Sequence, residues 1–106
     1  MSLQISIVCS VVVLGLAGCS WVDLRPEAQG VVVADASSVA NCELRGTTTA
    51  SVLDRVGFID RSADKVQGEL SILARNSALD IGGDTVVPTG RVENGKQKFA
   101  VYKCRR

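Results

Sequence analysis

The chain has 106 residues, with 12 basic and 11 acidic side chains, no histidine, and four aromatic residues: Trp21, Phe58, Phe99 and Tyr102. Near-balanced charge excludes a simple polycation or polyanion, and the lack of His excludes Ser/His and Cys/His catalysis and His-based metal sites. The length suits one small domain with an aliphatic core, and for a domain of this size a covalent staple matters.

Met1 to Val22 carries no charged side chain, and Ile5 to Leu16 is an almost unbroken apolar run. A membrane-crossing helix needs roughly 20 apolar residues, so this run is the length of a signal-peptide core. Leu16-Ala17-Gly18-Cys19 closes it and resembles a bacterial lipoprotein processing site. The resemblance implies a signal peptide over 1–18, acylation of Cys19, and a lipid anchor in the membrane. Ser20 rather than Asp follows the cysteine, which by analogy implies sorting to the outer membrane, facing the periplasm. Met1 to Gln4 lacks the usual Lys or Arg, which points to a translation start upstream.

Residues 19–30 then read as the acylated cysteine and a tether, polar and broken by Pro26 and Gly30, and 31–106 as the domain. Val31-Val32-Val33 predicts a short strand, ended by the turn-forming Asp35-Ala36-Ser37-Ser38. A second extended run starts at Cys42, with Gly46 marking a bulge or a close backbone approach. Ala50 to Arg61 has no clear period and reads as an irregular connection with one helical turn at most.

Ser62 is a good N-cap, with Asp64 in the first turn where a negative charge suits the helix dipole. Val66, Leu70, Leu73, Ala74, Ser77 and Ile81 follow at helical spacing on one face, and Gly82-Gly83 ends the helix. Gly68 within it costs about 1 kcal/mol relative to Ala, which suggests a close neighbour. Ile72 and Leu79 fall off the main apolar face: either they form a stripe for a protein partner, or other segments cover them. Arg75-Asn76 reads as a brace between helix and loop.

Asp84 to Val87 predicts a short buried strand, Asn94-Gly95 a hairpin turn, and Gln97 to Cys104 an alternating strand. The Cys42 and Asp84 strands should run parallel through the helical crossover, with the last strand antiparallel to both. The expected fold is α+β: one amphipathic helix on a small mixed sheet of three or four strands, stapled by one disulfide. From Arg91 to Arg106 there are six basic residues, including Lys96, Lys98 and Lys103, against Glu93 alone. This end is either ordinary solvated charge or a surface for an anionic envelope component, lipid phosphate or cell-wall polymer.

Of four cysteines, Cys9 leaves with the signal peptide and Cys19 takes the lipid, leaving Cys42 and Cys104. In an oxidising compartment they should pair, since one starts a strand and the other ends an antiparallel neighbour. The alternative is two free thiols; two cysteines without His make a poor metal site. Such a bond would close a loop of about 60 residues and contribute about 4 kcal/mol in the chain-entropy view.

Asn41-Cys42-Glu43-Leu44-Arg45-Gly46-Thr47, Leu73-Ala74-Arg75-Asn76-Ser77-Ala78, Gly82-Gly83-Asp84-Thr85-Val86-Val87 and Val101-Tyr102-Lys103-Cys104 resemble segments of the small YjeI-type envelope lipoproteins, whose function is unknown. More distantly the pattern is similar to RcsF, an outer-membrane lipoprotein that senses envelope damage through a cysteine-stapled α/β domain. The resemblance implies a non-catalytic envelope protein-interaction module, with no cofactor and no catalytic residues to carry over. A nucleic-acid role is not expected, because stacking aromatics are scarce near the basic end.

Overall fold

The computed structural model describes residues 22–56 and 59–105. The signal peptide expected over 1–18 and the expected lipid site at Cys19 lie outside the described residues. Two short 3-10 turns, Pro26–Gly30 and Ala36–Val39, flank β1 (Val32–Val33). β2 (Glu43–Ser51), β3 (Arg55–Val56), β4 (Ile59–Asp60), α1 (Ala63–Asp80), β5 (Thr85–Pro88) and β6 (Lys96–Lys103) follow. The fold is α+β, as expected: one helix on a four-stranded mixed sheet ordered β1-β5-β6-β2.

β6 is antiparallel to both β2 and β5, and β1 is parallel to β5. The strands before and after the helix thus point the same way with β6 between them, matching the expected crossover. Asn94 and Gly95, with φ of 52° and 73°, turn the chain into β6 as a primed turn requires. The register of β2 slips between Leu44 and Gly46, so the bulge expected at Gly46 is present. Ala50 to Arg61 differs from the irregular reading: β2 runs on to Ser51, and β3 and β4 pair antiparallel as a separate ribbon. No helical turn forms among the described residues of that segment. Its hydrophobics alternate too briefly for strand pairing to show in the sequence.

Cys42 and Cys104 are bonded, with Cα atoms 4.5 Å apart and a sequence separation of 62. They flank the last rung of the β2–β6 ladder, where Glu43 pairs with Lys103. The staple therefore closes the end of the sheet at which β2 starts and β6 stops. This end is called the disulfide end below; the Asn94-Gly95 turn marks the opposite one.

The Ser62 hydroxyl accepts from the Lys65 N–H at 3.2 Å and caps α1. The buried stripe is Val66, Glu69, Leu70, Ala74 and Ala78. Ala78 takes the place expected for Ser77, and Ile81 lies past the helix end and is exposed. The stripe advances in steps of four, so small Ala74 and Ala78 meet the sheet toward the C-terminal end while Val66 and Leu70 fill the wider gap nearer the start. Phe99, Val101 and Val86 lie beneath them, fully buried. The chain between β1 and β2 must cross from one sheet edge to the other, and Val39 is its buried residue.

At Gly83 a Cβ would meet Val101 Cγ1 at 2.2 Å, so the helix exit and β6 approach as closely as backbone allows. Gly68 is the opposite case and corrects the expectation of a close neighbour: its Cβ position has nothing within 4 Å. In urea unfolding, Gly68→Ala should stabilise the domain by about 0.5–1 kcal/mol. Gly83→Ala should destabilise it by about 1–3 kcal/mol, the usual cost of overpacking. Shifts of the same sign would contradict this placement.

Candidate functional site

The tether expected over 19–30 is corrected from its C-terminal side. Ala28 and Val31 are buried, and Leu24 packs against the core. Asn76 on α1 holds the segment from both sides: its Oδ1 accepts from the Arg25 N–H at 2.8 Å, and its Nδ2 donates to the Asp23 carbonyl at 3.0 Å. One residue earlier, Arg75 donates from Nε to the Val31 carbonyl at 2.7 Å and from Nη2 to the carbonyls of Ala28 and Gln29. Arg25 also pairs with Asp80 at 3.3 Å, a weak exposed contact. The bracing role read for Arg75-Asn76 is thus seen in detail. Its partner is the segment taken for linker, because partners some 44 to 53 residues away leave no periodic trace in a polar stretch.

Ile72 and Leu79 do not form an exposed stripe. Leu79 packs against the core and Ile72 is half-buried. The large exposed apolar side chains lie elsewhere among the described residues, with Val32 and Val33 on the β1 edge, and Leu44, Leu53, Ile59, Ile81 and Val92 scattered.

The lysines divide. Lys96 and Lys98 lie two residues apart on β6 and share a face. Lys103 belongs to the other end of the strand, with its Nζ 3.9 Å from Asp84. Lys96 and Lys98 are joined instead by Arg91, and with Thr49, Gly90, Glu93, Asn94 and Gln97 they line an open cleft of about 450 Å³. Thr49 is the register partner of Lys98. The cleft wall is fixed: Thr89 donates through N–H and hydroxyl to the Lys98 carbonyl, Glu93 and Lys96 bridge, and buried Gln97 donates to the Gly90 carbonyl at 3.0 Å. Gln67 of α1 donates in turn to Gln97 at 2.8 Å, tying the cleft floor to the helix. Beside it, Arg61 and Glu69 form a bidentate pair at 2.8–2.9 Å, both about nine-tenths buried. Hydrogen bonding to Arg61 holds the Glu69 carboxyl below its ordinary value, and this pair is structural.

At the disulfide end the central group is Asp84, whose side chain is 9% exposed. Its carboxylate accepts from the Cys104 and Arg105 N–H groups at 2.8 Å each, from the Thr85 hydroxyl at 3.0 Å and from Arg105 Nε at 3.4 Å. Arg105 extends the network by donating to the Gly30 carbonyl. Burial pushes this carboxyl up, but the two backbone N–H groups, then Thr85 and Arg105, outweigh it and bring it from 3.8 down to about 2. Because the folded value is depressed, the stabilisation is complete above pH 4 and is lost as pH falls through 2. The shift corresponds to about 2 kcal/mol. Acid titration of unfolding should show this loss in the native chain, and Asp84→Asn should be less stable at neutral pH with a flatter acid limb. A variant with the native acid limb would contradict the assignment.

Groups of three or more acidic or cysteine side chains suited to a metal ion are absent among the described residues, and no described helix is long and apolar enough to cross a membrane. No curated protein and no solved structure matches the chain. A family model for a domain of unknown function, DUF4156, covers residues 22–104. That span takes in the braced segment Asp23–Val31, both bonded cysteines and every element of the sheet, and on it the chain belongs to the DUF4156 family.

Proposed function

We propose that this chain is an exported lipoprotein of the YjeI type, acylated on Cys19, held at the outer membrane facing the periplasm, and working there as a non-catalytic interaction module of the cell envelope. The observation that carries the reading is the Cys42–Cys104 bond. Such bonds persist in oxidising compartments and are rare where thiols are kept reduced. It joins the apolar leader and Leu16-Ala17-Gly18-Cys19 in the sequence, which supply an export route and a nucleophile for the lipid. The chain has no His, the commonest general base, and the Ser37 and Ser38 hydroxyls that donate to Asp35 sit in an exposed turn, which favours binding over turnover.

A protein partner, with a role in envelope sensing as in RcsF, would find the edges of the sheet more accessible than the Ile72/Leu79 positions, since both are half-buried and Leu79 packs against the core. A second reading, an anionic envelope ligand, is favoured by the cleft that gathers Arg91, Lys96 and Lys98. Lys103 belongs to neither surface, because it faces Asp84.

Density fractionation of cell membranes tests the anchor. The native chain should sediment with the outer membrane, and Cys19→Ala should disappear from that fraction. A Cys19→Ala chain still in the outer-membrane fraction at native abundance would overturn the lipid-anchor reading.

A further inference from the structure

Six cations among the described residues have carboxylate partners within 4 Å: Arg25, Arg45, Arg55, Arg61, Lys103 and Arg105. Arg75 is engaged with three backbone carbonyls. Lys65, Arg91, Lys96 and Lys98 have no such partner, and all but Lys65 line one cleft. Ion pairing takes up the basic side chains nearly everywhere else, so this concentration of uncompensated charge is specific to one place. Glu93 in the cleft offsets one of the three charges and leaves it cationic. Lys96 and Lys98 are spaced about 7 Å apart by the strand repeat. The anchored loop and the paired strands β2 and β6 present these charges, the Thr49 hydroxyl and the Asn94 amide on a fixed frame, which lowers the ordering cost of binding.

The position of the cleft narrows the ligand. The chain enters the domain at Asp23, fixed to Asn76 near the end of α1 and so at the disulfide end. Three residues separate Cys19 from Asp23, and the four Cα-to-Cα steps reach at most about 14 Å. From Lys103 at the disulfide end, Lys98 and Lys96 lie roughly 17 and 23 Å farther along β6. Electrostatic attraction to a surface is screened over about 8–10 Å at physiological salt. When the domain stands upright on its anchor, the cleft is held beyond the screened reach of the headgroups that hold the lipid and faces away from that membrane.

Resting on the anchored reading above, we propose that Arg91, Lys96 and Lys98, with Thr49 and Asn94, form a membrane-distal binding site for a carboxylate-bearing cell-wall polymer. The cations meet repeated carboxylates, and the hydroxyl and amide meet sugar or peptide polar groups. Lys103 is outside the site.

The test is cosedimentation of the detergent-solubilised full-length protein with purified peptidoglycan sacculi, set beside flotation with phosphatidylglycerol vesicles. The native protein should bind sacculi, and raised salt should weaken that binding. The triple variant Arg91→Gln, Lys96→Gln, Lys98→Gln should lose at least about tenfold in affinity while keeping the native unfolding midpoint within the small shifts of surface changes. Lys65→Gln should bind as the native chain does. Undiminished sacculus binding by the triple variant would overturn the proposal, as would cleft-dependent binding to vesicles without binding to sacculi. Because the assay uses solubilised protein, it reads the cleft independently of the anchor. Failure of the outer-membrane fractionation alone would remove the anchor, whereas correct fractionation with cleft-independent binding would remove the site.

Discussion

The fold depends on one buried carboxylate. Asp84 stands where four parts of the chain meet: its own strand, the end of β6 beside the disulfide, the chain beyond Cys104, and, through Arg105, the docked N-terminal segment. Its backbone adds to this, accepting at the carbonyl from Val32 of β1 and donating from N–H to the Tyr102 carbonyl. A buried charge without partners would be costly, and here each lone-pair direction meets a donor. The arrangement supports a domain whose covalent staple alone would leave β1 and the entering segment unsecured.

That junction explains the pattern of small residues around it. Gly83 precedes Asp84 because the helix exit must lie against β6, and Ala74 and Ala78 keep α1 low over the same end. Larger residues, Leu70 and Phe99, fill the core farther from the junction. Tight backbone contact and a hydrogen-bonded carboxylate hold one end of the molecule, and aliphatic burial holds the rest. The loop from Thr89 to Gly95 at the far end is fixed by backbone bonds and Gln97, which frees its cations for solvent or ligand.

The features legible in the sequence are those whose cause is local. Ser62 caps because its hydroxyl reaches the next turn, Asn94-Gly95 turns because both residues accept positive φ, and Cys42 and Cys104 meet because the strand pairing brings them together just past its last rung. The features missed have distant causes. The segment Asp23–Val31 looks like tether until Arg75 and Asn76 are seen holding it, and Leu79 looks free until the core is assembled. Nothing in the sequence singles out Asp84, since its two backbone donors come from 20 and 21 residues away. In sequence the basic end is one cluster of charge, open to being plain solvated surface or a ligand surface, but the length of β6 separates Lys103 from Lys96 and Lys98, while Arg91 joins those two through a loop.

The proposed lipid on Cys19 lies three residues before Asp23, where the braced segment begins and leads into the disulfide-closed domain. The most direct test is the intact mass of the protein purified from its own membranes, before and after reduction and alkylation. The account predicts a chain beginning at Cys19 that carries acyl groups, with two alkylated thiols appearing only after reduction. A chain retaining its leader, with Cys42 and Cys104 alkylated without reductant, would contradict it.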